Sequence, residues 1–135
     1  MKRSKTFVVA AIAVVGFIGS AGAADLVVIG HPSAAAMSKD QVADTFLGKN
    51  PSASVVDLPE SSPIRADFYK QATGRDAAQV KATWSRLVFS GKVQPPKEAA
   101  DAAAVKKAVA ADPKAVGYIE KSALDGTVKV VSTLN

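Results

Sequence analysis

The stretch Val55-Val56-Asp57-Leu58-Pro59-Glu60-Ser61-Ser62-Pro63-Ile64-Arg65-Ala66-Asp67-Phe68-Tyr69 decides how this chain folds. Val55, Val56 and Leu58 read as the end of a strand, and a tight polar loop follows. Ser62-Pro63 reads as a helix start, since Ser is a preferred N-cap and Pro fits the first helical position, where its missing N–H would be unpaired anyway. A strand–loop–helix corner aims free backbone N–H groups and the positive end of a helix dipole at one point, which favours an anion. Arg65 in the first turn opposes that dipole unless Glu60, Asp57 or a bound anion compensates it. A Ser-Pro helix start that is only a cap is the competing structural reading.

Upstream, Lys2, Arg3 and Lys5 precede the apolar run Phe7 to Ile18 and then Gly19-Ser20-Ala21-Gly22-Ala23. A basic start, a short apolar segment and a small-residue A-x-A site spell a secretory signal peptide over 1–23, cut after Ala23. The apolar run of 12 residues is short against the ~20 that a bilayer-spanning helix needs.

Residues 24–135 then form a single domain of 112 residues, enough for one core and too few for two lobes. The signal takes three of the 17 basic residues, leaving 14 against 12 acidic, or +2. That near-neutral balance removes the main argument for a nucleic-acid partner. With no cysteine there is no disulfide and no thiolate metal site, so packing alone supplies stability. The expected location is the bacterial periplasm.

The domain alternates strands and helices. Leu26-Val27-Val28-Ile29 is a continuous apolar run, the mark of a strand covered on both faces. A helix starts at Ser38, with Gln41 completing a capping box and Met37 and Val42 a hydrophobic staple; Val42, Phe46 and Leu47 line its buried side and Gly48 stops it. The corner helix runs from Ser62 to about Ala72. Asp76 and Gln79 make a second capping box, and Val80, Trp84, Leu87 and Val88 form the apolar stripe of the next helix, with Trp84 as a core anchor. Gly91 to Pro96 reads as a loop, Glu98 to Ala111 as a helix, Val116 to Ile119 as a third strand and Val128 to Val131 as the last. The pattern predicts an α/β layer sandwich: a mostly parallel sheet of four to five strands with helices on both faces. In such sheets ligands sit beyond the carboxyl ends of the strands, where the loops at His31 to Ser33, Pro59 to Ser62 and Glu120 to Ser122 are expected.

The segments SKDQVADTFLGK (38–49), VVDLPESSPIRADFY (55–69), WSRLVFSGKVQPP (84–96) and AVGYIEKSAL (115–124) together resemble small periplasmic proteins of the phosphate ABC-transporter substrate-binding type. The resemblance spans nearly all of the chain after the signal peptide. It implies one lobe of the type 2 periplasmic-binding-protein fold, and phosphate or a related oxyanion as ligand. In the two-lobed members a stretch Arg-x-Asp-x-Ser-Gly-Thr-Arg-x-x-Phe holds the anion. Onto it this chain lays Glu60 near the acidic position, Ser62 on the serine, Arg65 on the second arginine and Phe68 on the phenylalanine. Leu58, Pro63 and Ile64 replace the first arginine, the glycine and the threonine, removing a charge, a backbone donor and a hydroxyl.

The expected anion ligands are therefore Ser61, Ser62, Arg65, Glu60 and, from the first loop, Ser33. Micromolar affinity needs about 8 kcal/mol, while an exposed helix terminus gives an anion about 0.3–1 and each charge-assisted hydrogen bond about 1.5–3. An open corner of this kind reaches the millimolar range, and a tighter site needs a second copy in a homodimer or a partner such as a membrane transporter. A ligand-free accessory or interaction module of the envelope is the alternative. Catalysis is not expected: the single histidine, His31, would have to serve any Ser-His-acid device, and Ser61-Ser62 lacks the G-x-S-x-G elbow. No cofactor is implied, and no His pair or carboxylate cluster has metal-ligand spacing.

Overall fold

The structure, a computed structural model, describes residues 25–134. The expected signal peptide and its cleavage site lie outside them. Five strands, β1 (Leu26–Gly30), β2 (Ser54–Asp57), β3 (Lys97–Glu98), β4 (Ala115–Glu120) and β5 (Lys129–Thr133), form one sheet in the order β3-β2-β4-β1-β5. The helices are α1 (Lys39–Phe46), α2 (Pro63–Thr73), α3 (Ala77–Phe89) and α4 (Ala102–Ala111).

Successive strand residues point to opposite faces, and β4 shows how that builds three layers. A Cβ at Gly117 would meet Val105 and Val109 of α4. The next residue, Tyr118, stacks on Phe68 of α2 with ring centroids 3.8 Å apart and packs edge-on against Phe46 of α1. Thus α4 covers one face and α1 and α2 the other, with α3 joined to them through the Trp84 indole, whose Nε1 donates to the Phe46 carbonyl at 2.7 Å. Trp84 is the expected core anchor.

Local signals place most helix ends. Ser38 with Gln41 and Asp76 with Gln79 form both capping boxes. Gly48 ends the first helical segment with φ 79°, in the left-handed region that glycine tolerates best.

Three expectations need correction. The sheet is mixed rather than mostly parallel: β2 pairs in parallel with β3 and β4, but β1 runs antiparallel to both β4 and β5. The segment from Glu98 is not the start of a helix. Pro95-Pro96 holds the chain extended, Lys97–Glu98 pairs with β2, and Ala99 N–H donates to the Asp57 carbonyl at 2.8 Å. The helix begins only at Ala102, where the Asp101 side chain accepts from Ala104 N–H. The last strand is Lys129–Thr133, shifted from 128–131, and its pairing with β1 slips between Val28 and Ile29.

Candidate functional site

The corner forms where the sequence places it. β2 ends at Asp57, Pro59 to Ser62 make the loop, with Ser62 N–H donating to the Pro59 carbonyl at 2.9 Å, and α2 opens with Pro63 at its first turn. Ser62 has the extended backbone of an N-cap, yet its side chain makes no capping hydrogen bond. Ser62 borders a cleft of about 300 Å³ between the starts of α2 and α4, along with Leu58, Ile64, Asp101, Glu120 and Ser122. This cleft lies at the carboxyl ends of β2 and β4. Ser61 is exposed at its side.

Arg65 takes a different course. Its guanidinium turns toward the end of β2, where Nη1 donates to the Leu58 carbonyl at 3.2 Å and Nε lies 3.6 Å from Oδ2 of Asp57. It also lies over the Tyr69 ring, 5.7 Å from the centroid. The side chain is only 13% exposed. Of the candidates to balance Arg65, Asp57 does so. Glu60 instead binds Lys81 of α3 at 2.7 Å on the surface, and that ammonium holds its carboxyl below the usual range.

Asp57 is the residue that sequence reasoning left outside the site. It is 4% exposed, and a buried carboxylate has to be met by donors or a cation. Tyr118 donates to Oδ1, Tyr69 to Oδ2, and Leu58 N–H to Oδ1 at 2.8 Å. Burial, then the neighbouring carboxylate, pushes both phenols well above their ordinary value. The available signal was an acid directly after Val55-Val56, inside an apolar run.

Ser33 does not join the corner. Because β1 is antiparallel to β4, with Gly30 opposite Val116 and Leu26 opposite Glu120, its carboxyl end lies at the far edge of the sheet. Ser33 there bonds His31, Oγ to Nδ1, at 2.7 Å. Of the expected ligands only Ser62 lines the cleft; Ser61 is its exposed neighbour in the loop, Arg65 turns to the Leu58 carbonyl and Asp57, and Ser33 lies at the opposite end of the sheet. Among the described residues no group of His, Cys, Asp and Glu side chains has the arrangement of a metal site.

No family model matches the sequence, and no curated protein matches it. Solved structures do. An ABC-type phosphate transport receptor from Vibrio cholerae superposes with a TM-score of 0.61 at 17% identity, over 80% of this chain and 45% of the receptor. A phosphate ABC transporter substrate-binding protein from Clostridium perfringens, with bound phosphate, gives a TM-score of 0.63 at 19% identity, over 80% of this chain and 44% of that one. The fold resembles one lobe of these two proteins. The chain spans less than half the length of the phosphate-binding structures it matches.

Proposed function

We propose that this protein is a non-catalytic periplasmic binding lobe that takes phosphate or a related oxyanion at the start of α2. The observation that carries this reading is Ser62. It occupies the N-cap, but its hydroxyl is not spent on the helix, and the residue borders the cleft at the carboxyl ends of β2 and β4. An oxyanion there would accept from Ser62 and the Ile64 amide at the start of α2, aided by the helix dipole, while Pro63 has no N–H and the Arg65 N–H donates to the Ser62 carbonyl at 3.2 Å. The likeness of the fold to phosphate-binding receptors supports the same ligand class. Glu60 is held by Lys81 of α3 and does not line the cleft.

The site is open and has no arginine pointing into it, so affinity for the isolated chain falls in the millimolar range, from about 0.3–1 kcal/mol for a helix terminus and about 1.5–3 for each charge-assisted hydrogen bond. A second copy or a transporter subunit closing over the cleft raises it. One observation favours the second reading, an envelope interaction module without ligand: Asp101 and Glu120 border the cleft and repel an anion. A thermal-shift titration with phosphate, sulfate and chloride at matched ionic strength separates the two. Phosphate raises the melting temperature of the protein and not that of Ser62→Ala if the lobe binds oxyanion; no shift up to tens of millimolar leaves the interaction module.

A further inference from the structure

A second, larger hollow of about 410 Å³ lies on the other side of Leu58, between α3 and the Pro95–Glu98 segment. Its wall is largely apolar, formed by Leu58, Trp84, Val88, Phe89, Pro95 and Pro96, with the cations Arg65 and Lys81 and the acids Asp57 and Glu98 along it. Phe89 is 95% exposed on its rim, an unusual placement for a large apolar side chain unless something covers it. An apolar groove of this size with a few charged groups is the ordinary form of a small-molecule site.

The charged groups are arranged unequally. Asp57 already receives hydrogen bonds from Tyr69, Tyr118 and the Leu58 amide. Arg65, by contrast, keeps a buried Nε that makes no hydrogen bond and sees Asp57 only at 3.6 Å. Asp57 would stay satisfied if the guanidinium tilted outward, and Arg65 would gain the acceptor it lacks. Lys81 adds a second cation on the same groove; it is exposed and held by surface Glu60, a weak tie, and exposed Glu98 is the other acid on the lining.

We infer that the groove between α3 and β3 binds an amphipathic carboxylate, an aromatic or branched aliphatic body lying on Trp84, Val88, Phe89 and Pro95 with its acid group taken by Arg65 and Lys81. This site is separate from the Ser62 cleft and does not depend on it. The planar guanidinium suits a carboxylate, and the rings of Trp84 and Phe89 suit an apolar body.

Trp84 is the only tryptophan in the sequence, so its emission reports the groove directly. Titration of the protein with phenylbutanoate is expected to shift that emission saturably, with phenylbutanamide, the uncharged analogue, about tenfold weaker. Phe89→Asp changes an exposed residue, so the fold survives, and it is expected to abolish the response. Lys81→Ala weakens the acid several-fold and leaves the amide unchanged. Excess inorganic phosphate does not compete. The inference is overturned if wild type shows no saturable response, if the Phe89→Asp titration matches wild type, or if acid and amide bind equally. It is also overturned if phosphate displaces the acid, which would place the head group at the Ser62 cleft, whereas failure of phosphate to bind at all leaves the groove intact.

Discussion

The phenol of Tyr118, on β4, donates to the carboxylate of Asp57, the last residue of β2 and 61 positions earlier in the chain. With Tyr69 on the second oxygen, this bond ties two parallel strands and the corner helix to one buried acid. Removing the acid leaves two buried hydroxyls and Arg65 without their partner. Asp57→Ala is expected to destabilise the fold by about 3–5 kcal/mol, and Tyr118→Phe, which deletes a single donor, by about 1–2. Urea denaturation checks both; equal stabilities for wild type and Asp57→Ala would show that the network contributes nothing net.

The same network sets a pH dependence. Tyr69 and Tyr118 are the only tyrosines, and both phenols are raised above their ordinary value, chiefly by burial. A group whose folded pKa is raised contributes stability that is fully present below its unfolded pKa, about 10, and lost progressively above it. Alkaline titration of the folded protein should therefore show no tyrosinate absorbance around pH 10–11, with both phenols ionising together on unfolding. Ionisation of one tyrosine near pH 10 in the folded state would contradict the burial of that phenol.

Gly117 and Gly126 make a matched pair. A Cβ on Gly117 would approach Val105 to 2.7 Å and Val109 to 3.2 Å, whereas nothing lies within 4 Å at Gly126. Gly117→Ala overpacks the contact between β4 and α4 and is expected to cost about 1–3 kcal/mol; Gly126→Ala stays within about 0.5. Thermal melts of the two variants suffice to compare them.

Three of the four helix N-caps, Ser38, Ser62 and Asp76, separate structure from function. Ser38→Ala removes a bond to Gln41 N–H, and Asp76→Ala removes one to Gln79 N–H. Each costs about 1 kcal/mol. Ser62→Ala removes no capping bond and is expected to leave stability within about 0.5 kcal/mol while abolishing the phosphate-induced rise in melting temperature. A loss of stability at Ser62 equal to that at Ser38 would mean that its hydroxyl caps the helix after all.

Features that depend on neighbours in sequence were legible. Both capping boxes are four-residue patterns, and Trp84 follows from the spacing of Val80, Trp84 and Val88 along α3. The corner was legible because Ser62-Pro63 after an apolar strand has few other readings. Features that depend on distant pairing were not. Lys97–Glu98 is a strand only because β2 accepts it as a neighbour, and neither residue favours a strand by itself. The antiparallel direction of β1 is set by tertiary pairing and leaves no local mark, which is why Ser33 was placed at the wrong edge. Asp57 meets Tyr118 across 61 residues, a juxtaposition that no periodicity encodes.

The most direct test of the oxyanion site is residue-resolved. Phosphate titrated into isotopically labelled protein, followed by amide chemical shifts, should move Ser61, Ser62, Ile64 and Arg65 along saturating curves, with the amides of Ser33 and His31 at the far edge unchanged. Shifts confined to other surfaces, or none up to tens of millimolar phosphate, would contradict a binding site at the start of α2.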